Sequence, residues 1–267
     1  MKVVVITTAR GPEVLQLQQV EDPELKEDEV LIKVEVTALN RADTLQRKGA
    51  HHPPKGARPY PGLECSGTVQ AVGKNVSRWR VGDQVCILSG GGYAEKVAVP
   101  AGQVLSVQLG VSLKDAASLP EVALEAKAKG ATVLETPGIE EKFAVCDKLG
   151  ADVCINYKTE DFVARVKEET GGKGVDVILD CIGAAYLQRN VDSLNFDAPH
   201  SATDRDASRK PENKAMVVNE VEKNVWPEVV AGKLKPIVYK SFPLSEAGEG
   251  HKLMESNEHI GKILLVP

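Results

Sequence analysis

Two periodicities divide this chain, and together they allow few folds. From Val3 to Val99 apolar residues alternate with polar ones or run β-branched, in short segments separated by Gly, Pro, Asn and Asp. Val3 to Thr7, Glu29 to Ala38 (EVLIKVEVTA), Cys65 to Val72, Gln84 to Ser89 and Tyr93 to Val99 are read as strands on that pattern. Many short strands with such turns predict a partly closed β barrel. From Ser112 the texture changes. Ser112 to Leu119, Glu121 to Lys129, Glu140 to Leu149 and Asp161 to Glu169 are read as helices, with Ala131 to Glu135, Val153 to Asn156 and Val175 to Asp180 (VDVILD) as short strands between them. Strand and helix in alternation predict a parallel α/β sheet, and VDVILD reads as a buried strand of it. The boundary falls near Pro120.

Composition narrows the functional classes. The chain has 267 residues, 42% of them apolar and 27% charged, which is the balance of a globular protein and not of a disordered one. No run of ~18 apolar residues is present, so no membrane span is expected. A formal net charge of -5 with both signs interspersed argues against a nucleic-acid partner, because phosphate binding needs clustered cations. The start, MKVVVITTAR, reads as a first strand and not as a signal peptide. Five cysteines, Cys65, Cys86, Cys146, Cys154 and Cys181, form no CxxC pair. They predict reduced thiols in a cytoplasmic protein and no structural zinc.

Asp197 to Asn213, DAPHSATDRDASRKPEN, is poor in apolar residues and is read as a loop. Helices are expected at Lys214 to Asn224 and Trp226 to Ala231, a strand at Lys235 to Tyr239, an amphipathic helix at Ser245 to Glu255 and a last strand at Gly261 to Val266.

The most specific stretch is PGLECSGTVQAVGKNVSRWRVGDQV, Pro61 to Val85, whose glycines mark bends in an otherwise β-branched run. With PEVL at Pro12 to Leu15, ALNRADTLQRKG at Ala38 to Gly49 and PLSEAGEGHKLMESNEHIGKILLVP at the carboxyl end, it resembles the medium-chain dehydrogenase/reductase superfamily. More narrowly, it resembles the NADPH-dependent quinone oxidoreductase branch of the tumour-suppressor-inducible quinone oxidoreductases and zeta-crystallin. The resemblance implies a GroES-like catalytic domain, residues 1–120 completed by 241–267, and a Rossmann-like nucleotide-binding domain at 121–240. It implies hydride transfer from NADPH to a quinone or other electron-poor carbonyl, with the hard chemistry supplied by the cofactor. It also implies a small-molecule substrate and a homo- or hetero-oligomer.

The resemblance implies site residues too. Where zinc-dependent relatives carry a His before the motif Glu and a Cys at the end of the preceding strand, this chain has Leu63 and Asn40, so the implied site is zinc-independent and Glu64 reads as a buried structural carboxylate. Asn40 either hydrogen-bonds a nicotinamide ribose or a substrate carbonyl, or stabilises the turn before Arg41 and Asp43. His51 matches an aromatic hydroxyl that faces the quinone, and an imidazole there either donates a proton or is simply exposed. Lys142 and Tyr157 match positions that discriminate NADPH from NADH, and Cys181 and Gly183 of DCIG lie at a strand-to-loop turn near the cofactor. His259 matches a polar contact to the cofactor.

One element is missing from the sequence. A dinucleotide fold needs a strand, a Gly-rich turn and a helix whose amino terminus faces the pyrophosphate. After LPEVA the chain passes at once to LEAKAKGATV, which resembles the tail of the helix beyond that turn. GGKGVD, Gly171 to Asp176, precedes a strand and so reads as a helix-to-strand turn. The expected fold is therefore a GroES-like β domain plus a Rossmann-type α/β domain lacking its first βα unit, a shortened family member whose NADPH binding is impaired. The alternative is a non-catalytic isoform acting through protein contacts or hetero-oligomerisation.

Overall fold

In a computed structural model of the protein the described residues are 1–50, 58–88, 90–118, 132–148, 151–180, 185–196, 202–203, 211–232 and 236–267. They form two compact units, one of residues 1–127 and 207–267, the other of residues 128–206. Among the described residues no helix is long and apolar enough to cross a membrane.

The larger unit is organised by β3 (Glu29–Ala38), which runs antiparallel to β4 (Glu64–Val72) along its length. Alternation does the work predicted of it. Val30, Ile32, Val34 and Val36 are buried while Lys33 and Glu35 are not. The pairing shifts register between Val34 and Val36, where the bulge brings Gly67 against the facing backbone. A Cβ on Gly67 would sit 2.0 Å from the Lys33 carbonyl oxygen, so only glycine fits. β5 (Gln84–Leu88) and then β7 (Val104–Ser106) extend the sheet beyond β4, and β6 (Lys96–Pro100) pairs with the first half of β3. β1 (Lys2–Ile6) and β2 (Leu15–Gln19) form a separate antiparallel pair. Valines and isoleucines of β3, β4, β5, β6 and β7 share one core with Trp79, whose indole N–H donates to the Ala101 carbonyl at 2.9 Å.

The carboxyl-terminal segment completes this unit. β12 (Val238–Pro243) and β13 (Lys262–Val266) are parallel and joined by the helix Ala247–Ser256, and β13 pairs with the end of β3. Helices Pro211–Asn224 and Trp226–Val230 also belong here, since Val218, Val221, Val225, Trp226 and Val229 pack on Cys86, Leu105 and Ala116. The resemblance places 121–240 with the nucleotide-binding part. The helical stripe of the 211–224 segment instead finds its apolar partners on the outer face of β5 and β7.

Among the described residues the smaller unit has two parallel strand pairs. β8 (Leu134–Glu135) pairs with β9 (Val153–Cys154) through the crossover helix α3 (Glu140–Lys148). β10 (Leu179–Asp180) pairs with β11 (Ala202–Thr203). Helices α1 (Arg41–Arg47) and α2 (Leu113–Ala117) precede α3 in the larger unit; α4 (Phe162–Glu169) and α5 (Leu187–Ser193) follow it in the smaller. Helices 211–224, 226–230 and 247–256 are α6, α7 and α8. Ile155, Phe162 and Val166 form the smaller core, flanked by Val153, Val163 and Tyr186. VDVILD is not the buried strand expected: only Leu179–Asp180 is strand, and Val177 is 66% exposed. A strand of a parallel sheet is buried only when neighbours and helices cover both faces, and Val175 makes a lone parallel bridge to Leu194. Most of the expected loop Asp197 to Asn213 lies outside the described residues, as does Glu121 to Lys129. Within the former, Ala202–Thr203 is strand and Pro211 already opens α6.

Candidate active site

Asn40 lies just beyond β3 and is the N-cap of α1. Its N–H donates to Asp43 Oδ2 at 2.8 Å, so a carboxylate in the first turn satisfies the backbone at the helix start. The Asn40 side chain is buried and its amide is oriented by two partners of opposite character. Nδ2 donates to Glu64 Oε1 at 3.1 Å, and Oδ1 accepts from Lys262 Nζ at 2.8 Å. Lys262 Nζ also lies 2.9 Å from Glu64 Oε1, closing a triangle among β3, β4 and β13. Glu64 is 0% exposed, which makes the ammonium of Lys262 its charge compensation.

A second buried network lies on the other side of Asp43. Oδ1 accepts from the Gly62 N–H at 2.8 Å, and Oδ2 accepts from the Tyr93 hydroxyl at 3.4 Å. Tyr93 Oη is 3.2 Å from His251 Nε2. With the hydroxyl proton committed to Asp43, His251 Nε2 is the donor to Tyr93, and Nδ1 carries the lone pair. Burial, aided by the nearby charge of Arg47, pushes the His251 imidazole down to about 3. Burial, together with Asp43, pushes the Tyr93 phenol well up. Arg47 is itself fully buried and ion-paired at 2.6 Å to Glu255. Both shifts hold His251 and Tyr93 in their neutral forms, so these two side chains serve to position α1.

Positions in the smaller unit are distinct. Lys142 lies in the first turn of α3, and its N–H bonds the Ile139 carbonyl. Tyr157 follows β9 and turns its ring onto the β8-to-α3 connection, where a Cβ on Gly138 would come within 2.6 Å of Tyr157 Cε1. Both residues therefore stand at the carboxyl end of the β8–β9 pair, the edge at which such sheets take ligands. His51, Cys181 and Gly183 lie outside the described residues. His259 is in the larger unit, its ring edge-on to Tyr239 with centroids 6.4 Å apart.

These residues fit one end of a dinucleotide. A lysine and an aromatic ring beyond parallel strands suit an adenosine and its phosphate. The pyrophosphate turn does not fit: Gly171, Gly172 and Gly174, with φ between 61° and 85°, end α4 and do not open a helix. Gly91 and Gly92 belong to the larger unit, where Gly92 N–H donates to the Gly62 carbonyl. Among the described residues no group of three or more His, Cys, Asp and Glu side chains could hold a metal ion.

Residues 26–109 match the family described as alcohol dehydrogenase GroES-like domain, and residues 149–265 match the one described as zinc-binding dehydrogenase. The chain is 28% identical to a 2-haloacrylate reductase of Burkholderia, with 98% of each chain covered, and 28% identical to a quinone oxidoreductase of Sus scrofa, with 96% and 94% covered. A mycobacterial protein solved as its NADPH complex is 25% identical, with a TM-score of 0.80 over 100% of both chains. This protein belongs to the medium-chain dehydrogenase/reductase superfamily, in its quinone oxidoreductase-like group. Its alignment with the reductase runs over 326 positions against 267 residues here, so aligned positions of that relative have no counterpart in this chain.

Sequence reasoning reached Asn40 and the burial of Glu64 but missed Lys262, Arg47, Tyr93 and His251. The available signal was Glu64 itself: a carboxylate predicted to be buried without a metal requires a cation, and Lys262 lies in one of the motifs that carried the resemblance.

Proposed function

We propose that this chain is a zinc-independent oxidoreductase of the quinone oxidoreductase type, cytoplasmic, taking NADPH as donor and a quinone or similarly electron-poor carbonyl as acceptor. The observation that carries this reading is the buried triangle of Asn40, Glu64 and Lys262. When bound, NADPH supplies the hydride. Asn40 and Lys262 supply fixed N–H donors for an oxygen that gains negative charge, already oriented by Glu64 so that little reorganisation is required. By the resemblance, Asn40 stands where zinc-dependent relatives hold a thiolate, and Leu63 where they hold an imidazole. On the cofactor side, Lys142 would meet the adenosine phosphate as a point charge and Tyr157 would pack along the ribose. With the Gly-rich turn missing from the sequence, these side contacts carry the binding and its affinity is reduced.

A second reading, a non-catalytic isoform that works through protein contacts or hetero-oligomerisation, is favoured by the aligned positions of the relatives that this chain lacks. One titration separates the two. Nicotinamide fluorescence is followed as NADPH is added to protein whose cooperative melting shows it folded. Saturation in the micromolar range is the expected result of the first reading. Absence of saturation up to millimolar NADPH overturns it in favour of the second.

A further inference from the structure

The smaller unit places two cysteines face to face. Along β9 and just beyond it, Val153 and Ile155 turn toward Phe162, Val163 and Val166 of α4, so period-two alternation turns Cys154 to the opposite face. That face is covered by the crossover helix α3. In α3, Lys142, Phe143 and Cys146 are half-buried, spaced as one stripe, while Glu140, Glu141, Ala144, Asp147 and Lys148 are exposed. Cys146 is therefore on the sheet-facing stripe of the helix and Cys154 on the helix-facing side of the strand. The helix packs on the strand at this point, so the two thiols lie on facing surfaces and act on each other electrostatically, and Glu135, the register partner of Cys154 across β8 and β9, adds its charge to the same spot. The Ala151 N–H bonds the Cys146 carbonyl at 3.0 Å and holds the connection between helix and strand closed. Both sulfurs belong to half-buried residues, unlike Cys65 and Cys86, which are fully enclosed in the larger unit.

We propose that Cys146 and Cys154 are a dithiol site that forms a reversible disulfide by exchange with a low-molecular-weight disulfide. Cys154, as thiolate, attacks one sulfur of that disulfide; its S–S bond breaks, one thiolate leaves, and a mixed disulfide remains on Cys154. Cys146 then gives its proton to solvent and attacks Cys154 Sγ, releasing the second thiolate and forming the internal S–S bond. Two protein thiols are oxidised and one small disulfide is reduced to two thiols. Burial pushes the Cys146 thiol up to about 11, so at neutral pH it is a weak first nucleophile and serves as the resolving group. Its proximity to Cys154 makes the second step intramolecular and offsets that handicap. The bond would tie α3, and with it Lys142, to β9.

The test uses the full chain, reduced, incubated with oxidised glutathione at pH 7.5, quenched with an alkylating agent, digested and read by mass spectrometry. The expected product is a linked pair of peptides containing Cys146 and Cys154, lighter by two hydrogens than the separate peptides and reversed by dithiothreitol. Cys146→Ser should trap glutathione on Cys154, and Cys154→Ser should leave Cys146 largely free to be alkylated. The proposal is overturned if the unsubstituted chain carries both cysteines alkylated, if glutathione stays on Cys154, or if Cys154 links to Cys181 instead.

Discussion

Lys262 Nζ lies 2.9 Å from Glu64 Oε1 inside the larger unit, joining β13 to β4 across 198 residues of sequence. A buried carboxylate that loses its cation is left at a cost of about 3–5 kcal/mol. Lys262→Met should therefore lower the free energy of unfolding by that amount, measured by urea denaturation. Glu64→Gln added to Lys262→Met should recover most of the loss, because an amide needs hydrogen bonds and no counter-charge. A single variant with an unchanged midpoint would contradict the pairing.

His251 makes stability depend on pH with a definite sign. Its imidazole titrates near 3 in the folded chain against an ordinary 6.5, so the native state holds it neutral while the unfolded state takes up a proton. The contribution is complete above pH 6.5 and is lost as pH falls from 6.5 toward 3, by about 1.4 kcal/mol per pH unit. His251→Phe should remove this component: the difference between variant and parent in urea midpoint should shrink steadily from pH 7 to pH 4.5. A constant difference across that range would show that His251 is not held neutral.

Gly67→Ala tests the bulge between β3 and β4. The new Cβ would meet the Lys33 carbonyl oxygen at 2.0 Å and its carbon at 2.9 Å, and backbone atoms have little room to yield. Destabilisation of about 3 kcal/mol or more is expected, seen as a fall in the melting temperature. Gly82→Ala is the control: its surroundings are open, but its φ of 96° imposes backbone strain without a clash, so its smaller loss measures the dihedral contribution alone.

Lys142→Ala bears on cofactor choice. If its ammonium meets the phosphate that distinguishes the two cofactors, NADPH affinity should fall about tenfold while NADH affinity stays level, since loss of one charge-assisted contact is worth roughly 1.4 kcal/mol. Equal losses for both cofactors would remove Lys142 from that role.

Much of the fold was legible because period and burial coincide. The alternation in EVLIKVEVTA announced β3, and the helix expected at Lys214 to Asn224 is most of α6. What α6 packs against was not legible. A stripe specifies that a face is buried but not its partner, and the partner proved to be Cys86 and Leu105 of the larger unit. VDVILD failed for the converse reason: its apolar run is suited to a covered strand, and Val177 stands exposed. Asn40 was legible as a candidate, but that Glu64 and Lys262 flank its amide was not.

Local sequence by itself determined the superfamily and most of the strands and helices of the larger unit, because each depends on neighbours within a few residues. The tertiary structure alone decided the partners. Lys262 meets Glu64, and His251 meets Tyr93 across 158 residues, only after β13 and α8 close on the sheet. Whether a buried charge is compensated, or a histidine kept neutral, depends on groups that no local pattern brings together.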